Sequence, residues 1–302
     1  MTAPAPAPNR SYEIHEVAEL TGLATARLRV WERRYEVVRP GRQANRYRTY
    51  TSEQVALLRA FARLCAAGER IGDLVREPRE SVIARAEGRA TDGSPLALLL
   101  EAVKRLDRDR LNTLLDEQRR SMESEQFGRE IILPLGEVIG DLWALGRLSV
   151  AAEHLASEVV VQQLKLELAG AATAGPLLLA ACLPGESHEW GILVTLVRLQ
   201  TSGWRVQYLG ADLPLKDVVD ASWTLLPQVV ALSAADPANV SGRLPELRRL
   251  PRLLPPGTLV VLGGQGVEIN GSRLRRAGLK VGAEVIPQPH TGRGSRIASR
   301  NP

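Results

Sequence analysis

The 302-residue sequence predicts a multidomain protein of mixed α and α/β class, with a small helical head, a four-helix bundle and a doubly wound parallel-sheet domain. Three observations lead to this prediction. The first 76 residues combine two short helical patterns with a hairpin pattern, and the middle of the chain is helical with few breakers. After Pro176, apolar runs alternate with amphipathic stretches. Such alternation is typical of a parallel sheet with helices on its faces.

Composition argues against several classes of protein. Apolar residues make up 44% of the chain, enough for globular cores, yet no apolar run reaches the about 18 residues that suggest a membrane span. We therefore expect a cytoplasmic protein with no membrane partner. Residues 1–10 alternate Ala and Pro, which predicts a disordered tail and not a signal peptide. The net charge of +5 is local, because residues 25–50 hold eight Arg and two acidic residues. An anionic partner for this segment is the expectation.

Residues 11–76 are predicted to form a winged helix-turn-helix domain that binds DNA. Residues 11–23 have the pattern of a helix closed by Gly22, and a second helix follows from Thr25 to Tyr35. Two short helices joined by a Gly-containing turn are typical of a helix-turn-helix, whose second helix lies in the major groove. The apolar side of this second helix is predicted to carry Ala26, Leu28, Val30 and Trp31.

The wing is predicted from residues 38–50, where a Pro-Gly turn and alternating side chains suggest a β-hairpin. Thr51 to Gln54 then has capping-box spacing for a helix that runs through Ala67. An Arg-rich solvated surface on an ordinary helical domain is the alternative interpretation. The side chains predicted to contact double-stranded DNA are Arg27, Arg29, Arg33, Arg34, Arg42, Arg46, Tyr47 and Arg48.

The whole segment resembles the MerR-type winged helix-turn-helix. The resemblance lies in the recognition helix, LRVWERRY at residues 28–35, and in the wing, RYRTY at residues 46–50. It implies a dimer on a pseudo-palindromic operator.

The middle of the chain is predicted to contain a linker and then a bundle. Residues 77–95 are polar and include the break Asp92-Gly93-Ser94-Pro95, so they are assigned to the linker. Residues 96–172 are assigned to a four-helix bundle, in which Pro134 starts or kinks a helix. The predicted helices are Leu96 to Arg119, Glu123 to Leu133, Leu135 to Leu145 and Ala151 to Ala169.

One constellation in the bundle is a candidate ligand cap. Trp143 falls near the end of one predicted helix, Gly146 forms the turn, and Glu153 and His154 fall near the start of the next helix. The three side chains could therefore meet at one mouth of the bundle. On these residues alone, a core Trp beside a solvated Glu-His pair is the favoured interpretation.

The C-terminal domain is assigned to residues 173–286, and residues 287–302 to a second disordered tail. Strands are predicted at Leu177–Ala181, Arg205–Tyr208, Val229–Leu232 and Leu259–Leu262, with a weaker one near Val281–Val285. Helices are predicted near Trp190–Gln200, Leu215–Ser222, Gly242–Leu250 and Gly266–Arg276. This order predicts a doubly wound parallel sheet.

The loop after the first of these strands is the candidate metal site. In open α/β sheets, ligands bind beyond the carboxyl ends of the strands. His188 in this loop can coordinate a transition metal through one nitrogen while the other donates to a carboxylate, for which Glu186 is the candidate. Gly191 allows close approach of a bulky ligand. A solvated His is the alternative.

The spacing Glu-x-His-x-x-Gly after a buried strand resembles the cobalamin-binding domain of methionine synthase and the adenosylcobalamin mutases. Ser233 at the end of one later strand, and Gly263 and Gly264 at the end of another, match the same domain. The resemblance implies that His188 is the lower axial cobalt ligand and that the later residues line the displaced nucleotide tail of cobalamin.

Taken in order, the head, the Trp-x9-Glu-His spacing and the cobalamin-like domain resemble the CarH/LitR family of light-responsive repressors over about residues 11–285. The resemblance implies a non-enzymatic repressor that binds operator DNA as a homo-oligomer, dimer or tetramer, in the dark with adenosylcobalamin. Photolysis of the Co–C bond then releases the DNA. It further implies that Trp143 packs over the upper face of the cofactor and that Glu153 and His154 contact its adenosyl group.

One departure from the family keeps other functions open. In light-responsive members a His follows the Trp and takes the upper cobalt position after photolysis, whereas this chain has Ala144. The bulky Trp190 in the cobalamin loop is a second change. The alternatives are a light-independent regulator that senses cobalamin in this or another form or works without it, a cobalamin-dependent enzyme or methyl carrier, and a cap recruited for another chromophore. An enzyme would also need a substrate domain, for which the chain has no room.

Overall fold

The structure, a computed structural model, describes residues 11–42, 47–91, 94–169 and 175–289. The predicted tail at residues 1–10, residues 290–302 of the predicted tail 287–302, and Arg46 of the predicted wing lie outside the described residues. The chain divides into two units, Met1–Gln163 and Leu164–Pro302. None of the helices within the described ranges combines the length and the apolar character that crossing a membrane requires.

The head opens the first unit. Its elements are β1 (Ser11–Glu13), α1 (Ile14–Thr21), α2 (Thr25–Tyr35), β2 (Gly41–Arg42), β3 (Arg48–Thr51), α3 (Ser52–Ala66) and α4 (Ile71–Leu74). The strands pair antiparallel in the order β1-β3-β2. Gly22 ends α1 with a φ of 68°, as its position in the sequence suggests. The Thr51–Gln54 capping box begins α3, again as expected.

Two details of the head differ from the prediction. Residues 11–13 form a strand and not the start of a helix, because Tyr12 pairs with Tyr50 of β3 and both rings are buried. Gly41 was expected in the turn of the wing but lies in β2, opposite Thr49. Both errors arise because strand pairing, and not the local spacing of apolar and polar residues, decides the structure of these short segments.

The predicted linker at residues 77–95 is wrong for most of its length, because it contains the helix α5 (Arg79–Thr91). Val82 and Ala86, one turn apart on α5, are buried in the same hydrophobic cluster as Phe61 and Leu64 of α3. The polar residues of α5 are its solvated face. Two small apolar side chains among many charges are a weak periodic signal, and packing against α3 decides the structure.

The rest of the unit is helical. Its elements are α6 (Pro95–Lys104), α7 (Arg108–Ser121), α8 (Ser124–Phe127), a π-helical segment (Gly128–Ile132), α9 (Leu133–Ala144) and α10 (Val150–Ala169), the last of which runs into the second unit. The segment from α8 through α9 is continuous, since the residues at both junctions have helical φ and ψ. Residues 95–169 therefore contain four long helical segments, the number predicted, but with different boundaries.

Both boundary errors have a physical reason. The predicted helix 96–119 is broken at Leu106, whose φ of 58° is left-handed and whose neighbour Asp107 donates from its amide to the carbonyl of Ala102. This is a Schellman ending with Leu where Gly is usual, so the sequence contains no break signal. Pro134 does not end a helix, because the π-helical turn before it accommodates the missing amide donor.

The second unit contains the predicted doubly wound parallel sheet, which the structure confirms. Its elements after α10 are β4 (Leu177–Cys182), α11 (Trp190–Thr201), β5 (Arg205–Tyr208), α12 (Leu215–Leu225), β6 (Val229–Ser233), α13 (Pro237–Ser241), α14 (Leu244–Leu253), β7 (Leu259–Gly263), α15 (Gln265–Ile269), α16 (Gly271–Arg276) and β8 (Lys280–Val281). The predicted helix Gly266–Arg276 is divided into α15 and α16, and the short helix α13 precedes the helix predicted near Gly242–Leu250. The weak last strand is shorter than expected, with a 3-10 turn at Ala283–Val285.

The order of the strands determines where a ligand binds. In the described residues the five parallel strands lie in the order β5-β4-β6-β7-β8, so the chain moves to one side of β4 and then to the other. The switch point lies between β4 and β6. Every residue of β4 is buried, as expected for a central strand covered on both faces. The loops after β4 and β6 therefore form the crevice in which such folds bind ligands.

Helix α12 ends in a conformation that only the structure reveals. Leu226, its C-cap, has a φ of 50° and an exposed side chain. A left-handed conformation costs a non-glycine residue about 1–2 kcal/mol. The preceding residue, Leu225, is helical and also exposed.

We expect Leu226→Gly to raise the free energy of unfolding by about 0.5 kcal/mol, because relief of the strained φ exceeds the extra chain entropy of Gly. The control Leu225→Gly, one residue earlier in the helix, should lower it by up to about 1 kcal/mol. Urea denaturation of both variants measures the two changes. Equal destabilisation by both would contradict the role assigned to the left-handed conformation.

Candidate functional site

The surface of α2 carries a cluster of positive side chains. Leu28 and Trp31, three residues apart, are buried against the head, with the Trp31 ring 6.5 Å from that of Phe61 in an edge-to-face arrangement. Ala26 and Val30 were expected near the apolar side of α2 but are exposed. The helical period points them away from the buried side that carries Leu28 and Trp31. The predicted DNA-contacting residues on the solvated faces of the helix are all exposed: Arg27, Arg29, Arg33 and Arg34.

One carboxylate on α2 forms hydrogen bonds with the wing. Glu32 accepts a hydrogen bond from Arg48 Nε at 2.7 Å and another from the hydroxyl of Tyr50. Burial, with the hydrogen bond to Glu32 as a further cause, raises the pKa of the Tyr50 hydroxyl above its usual range. Arg48, predicted to contact DNA, thus has an ion pair within the protein, whereas Arg42 and Tyr47 are exposed. Glu32 was not predicted as a site residue, because its only signal in the sequence is an acid in an Arg-rich helix.

The candidate metal site lies at the switch point of the sheet. Glu186 and His188 follow β4, and Ser233 ends β6, the neighbouring strand. The two loops are joined at the strand ends, where the amide of Leu183 donates to the carbonyl of Ser233 at 2.9 Å. Asp212, after β5, accepts a 2.5 Å hydrogen bond from the amide of Gly185. The fold thus brings together the polar residues that the sequence placed at this edge.

The Glu186 carboxylate orients His188. Its Oε1 lies 2.5 Å from His188 Nδ1 and accepts the His188 amide at 2.9 Å. Its Oε2 accepts the amides of Ala235 and Asp236 at 2.7 and 2.8 Å, and Asn239 Nδ2 lies 3.4 Å away. Burial alone would raise the pKa of Glu186, but the hydrogen bonds and the charge of His188 lower it to about 2. The ionised carboxylate holds the proton on Nδ1, which makes Nε2 the nitrogen available to ligate a metal.

The three site glycines have different surroundings. A Cβ on Gly264, whose φ is 96°, would lie 2.6 Å from the Ala234 carbonyl oxygen and 2.9 Å from Ser233 Oγ. Gly264 is therefore required by the approach of β7 to the β6 loop. A Cβ on Gly191 or Gly263 would have no described atom within 4 Å, so there is space beside both. A partly exposed, oriented imidazole, with space beside Gly191 and Gly263, fits a bulky group whose metal needs one protein ligand.

The candidate cap residues lie on either side of one turn in the first unit. Trp143, partly buried, is in the last turn of α9, and Gly146 follows with a φ of 68°. Glu153 and His154 lie in the first turn of α10, with Glu153 Oε2 3.5 Å from His154 Nε2. Glu153 is buried and His154 is partly exposed. The sequence placed this turn and its flanking residues correctly, and Ala144 occupies the position directly after the Trp.

A second polar cluster beside His188 was not identified from the sequence. Glu189 accepts a hydrogen bond from the Tyr208 hydroxyl at 3.0 Å and pairs with Lys165 Nζ at 2.7 Å. Cys182 Sγ lies 3.4 Å from the same hydroxyl, and burial raises the pKa of this thiol to about 12. Cys182 is thus a buried free thiol, whereas the free Cys65 is partly exposed. Lys165, Cys182 and Tyr208 are far apart along the chain, so the spacing of residues in the sequence does not indicate this cluster.

Family comparisons match the three parts of the chain separately. The family described as MerR HTH family regulatory protein matches residues 12–76. Two families described as B12 binding domain match residues 96–166 and residues 176–288. The first of these B12 matches covers α6 to α10, and the second covers the parallel sheet with the His188 loop.

Similar proteins combine these parts in one chain. The chain is 35% identical over 267 residues to the HTH-type transcriptional repressor CarH of Myxococcus xanthus, covering 84% of this chain and 89% of that protein. It is 35% identical over 264 residues to the HTH-type transcriptional repressor CarA of the same organism, covering 84% of this chain and 86% of that protein.

Solved structures give more distant likenesses. The monomethylamine corrinoid protein of Methanosarcina barkeri is 16% identical with a TM-score of 0.47, covering 61% of this chain and 89% of that one. A cobalamin-binding protein from Desulfitobacterium hafniense is 21% identical with a TM-score of 0.27, covering 62% and 90%. It is the identity to the two Myxococcus proteins over most of both chains, together with the head and the B12 domains, that identifies this protein as a member of the CarH-type family of MerR regulators with cobalamin-binding domains.

Proposed function

We propose that this chain is a cytoplasmic transcriptional repressor that binds operator DNA as a homo-oligomer in the dark with adenosylcobalamin and releases it on illumination. The observation that carries the proposal is the Glu186–His188 pair at the switch point of the sheet, joined in one chain to an Arg-rich recognition helix. The names of the two Myxococcus relatives support repression. Under this proposal the protein is a regulator and not an enzyme.

His188 Nε2 is proposed to be the lower axial ligand of cobalt, with Glu186 fixing its tautomer and direction. The space beside Gly191 and Gly263 admits the displaced nucleotide tail, and Ser233 Oγ is a hydrogen-bonding group at the same edge. Gly264 maintains the close approach of the two loops, so we assign it an indirect role in binding. Other forms of cobalamin satisfy the same lower-face requirements.

Trp143, Glu153 and His154 are proposed to contact the adenosyl group. The indole supplies a flat apolar surface, and the Glu-His pair supplies hydrogen-bonding groups for a ribose or an adenine. When bound, adenosylcobalamin contributes a Co–C bond that light cleaves. Without the adenosyl group, Trp143 would lose the contact that helps to order the turn between α9 and α10.

Operator binding is proposed to involve at least two heads. One helix-turn-helix contacts a single half-site, and joining two heads raises affinity through effective concentration. Cobalamin binding and operator binding are then linked through the oligomer, and each strengthens the other by the same factor. Arg27, Arg29, Arg33 and Arg34 are assigned to DNA, together with the wing residues Arg42, Arg46, Tyr47 and Arg48.

Ala144 favours a second candidate, a regulator that responds to cobalamin but not to light. A methyl side chain cannot ligate cobalt, so it cannot take the upper position after photolysis. The two candidates are separated by an absorbance spectrum and a sizing run on the protein with adenosylcobalamin, in darkness and after green light. An oligomer that dissociates on illumination supports the first candidate, and bound cobalamin with no change of size supports the second.

We expect His188→Ala to reduce cobalamin affinity at least about tenfold, because cobalt loses its protein ligand. The bound spectrum should also lose the features of an imidazole-ligated cobalamin. Absorbance titration in the dark measures both. The control His15→Ala replaces an exposed imidazole of the head. Unchanged affinity in His188→Ala would remove His188 from the site.

Glu186→Gln should lower the free energy of unfolding by about 2–3 kcal/mol at neutral pH, because the buried amide donors and His188 lose their charged partner. The pKa of Glu186 is lowered in the folded state, so its contribution is present above the unfolded pKa of about 4.3 and is lost as pH falls towards about 2. The difference between wild type and variant should therefore shrink over that interval in urea titrations. Glu246→Gln, at an exposed position of α14, is the control and should show no such trend.

Replacing Arg29 or Arg33 by Gln should weaken operator binding about tenfold and reduce the salt slope of log affinity by about 1 for each phosphate that the variant no longer neutralises. Fluorescence anisotropy at several salt concentrations, on a duplex selected by the wild-type protein from a random library, measures both. Arg248→Gln, at an exposed position of α14, is the matched charge control. Operator affinity that is insensitive to both α2 variants would exclude this helix as the DNA-recognition element.

A further inference from the structure

A buried carboxylate in α9 is bonded to the DNA-binding head. Asp141 is 5% exposed. Its Oδ1 accepts a hydrogen bond from Arg59 Nη1 at 2.8 Å, and its Oδ2 accepts one from Arg63 Nη2. Both arginines belong to α3 of the head, about 80 residues earlier in the chain, and are mostly buried. All three residues lie in the first unit.

Arg59 extends this contact to the helix-turn-helix. Its Nε donates to the carbonyl of Leu20 at 2.8 Å, in the last turn of α1. One guanidinium therefore bonds the helix-turn-helix through α1 and the helical domain through Asp141. Because the guanidinium is planar and its donors have a fixed geometry, the two bonds constrain each other.

Apolar packing surrounds the ion pairs. Leu145, in the turn after α9, packs against the hydrophobic cluster of the head. Ala56 and Ala60 of α3 face Val138 and Leu142 of α9 across a small cleft that Arg63 and Asp141 also line. The small side chains let the two helices approach closely, so the carboxylate is held away from water.

A second acid bridges the same region. Glu87 of α5 pairs with Lys104 of α6 and with Arg147, 3.4 Å away in the turn between α9 and α10. Asp141 and Arg147, which lie on either side of Trp143 in the chain, are thus both held by ion pairs to neighbouring helices. A buried ion pair adds little to stability but requires one arrangement of its partners, because displacement leaves a buried charge uncompensated. The junction therefore has a defined geometry instead of a sliding apolar contact.

We infer that Asp141 is a positioning residue that transmits the position of α9 to the DNA-binding head. The inference rests on the proposed function, in which Trp143 contacts the ligand. Trp143 lies two residues after Asp141 on the same helix, so ligand contact at the indole constrains the carboxylate through rigid backbone. Asp141 holds α3 and, through Arg59, α1. With cobalamin bound, the head is held in one orientation. Without cobalamin, no ligand contact fixes the position of α9, and the head moves with this helix.

The test uses full-length Asp141→Asn, which keeps the shape of the side chain and removes its charge. The control is Glu137→Gln, an exposed acid one turn earlier on α9. For each protein, the operator Kd is measured without and with adenosylcobalamin in the dark, on the duplex selected by the wild-type protein. The ratio of the two Kd values reports coupling. Hydrogen exchange of α1 and α3 is measured in parallel and reports the attachment of the head.

We expect Asp141→Asn to bind adenosylcobalamin with wild-type affinity while its Kd ratio falls at least about threefold below the wild-type ratio, because coupling through the oligomer remains but the head is no longer held to α9. Hydrogen exchange at the α3 surface should accelerate in Asp141→Asn and not in Glu137→Gln. A wild-type Kd ratio in Asp141→Asn overturns the inference. A ratio of 1 in the wild-type protein contradicts the proposed function instead, and unchanged exchange in Asp141→Asn then overturns the positioning role as well.

Arg63→Gln provides a second variant in case Asp141→Asn fails to fold. Arg59 still neutralises Asp141 in this variant, so no charge is left buried alone. We expect a partial reduction of the Kd ratio, with circular dichroism like that of the wild type. A folded Arg63→Gln with full coupling and unchanged exchange contradicts the inference.

Discussion

The hydrogen bonds of the buried Glu186 carboxylate fix the geometry of the candidate ligand site at the carboxyl ends of the strands in the second unit. A buried charge is tolerated only where hydrogen bonds replace its water, and here the donors come from two loops. The amides of Ala235 and Asp236 and the imidazole of His188 converge on it. The loop after β4 is therefore held against the loop after β6, and the direction of His188 follows from that arrangement. Gly264 permits it by allowing β7 to approach the same loop.

The first unit uses a buried acid in a comparable way for a different purpose. Asp141 accepts hydrogen bonds from two side chains of α3, as Glu186 accepts them from the loop after β6. In both cases one buried charge fixes the relative position of segments that are distant in sequence. In the head, Glu32 does the same for the wing through Arg48 and Tyr50. The α2 arginines, by contrast, remain on the surface, where they are accessible to a polyanion. The acids determine geometry, and the exposed bases provide attraction at long range.

Much of this organisation could be predicted from local patterns. Gly22 and Gly146 end helices where left-handed residues are needed, and Thr51 to Gln54 begins one through its capping box. The strand cores were also predicted, because a buried parallel strand appears as an unbroken apolar run. The Glu186–His188 pair could be anticipated since the two residues are two positions apart in one loop.

The errors at α5 and β1 share one cause, which is that the deciding contact lies far away in sequence. The helix α5 exists because Val82 and Ala86 pack on α3, and the strand β1 exists because Tyr12 pairs with Tyr50. Leu106 ends a helix with no glycine to indicate it. By itself the sequence determined the order of domains, the strands and the residue types of the candidate sites, since these depend on composition and short-range periodicity. Only the tertiary structure decided which donors surround Glu186 and that Asp141 bonds to the head, because a buried charge is satisfied by whichever groups folding brings near it.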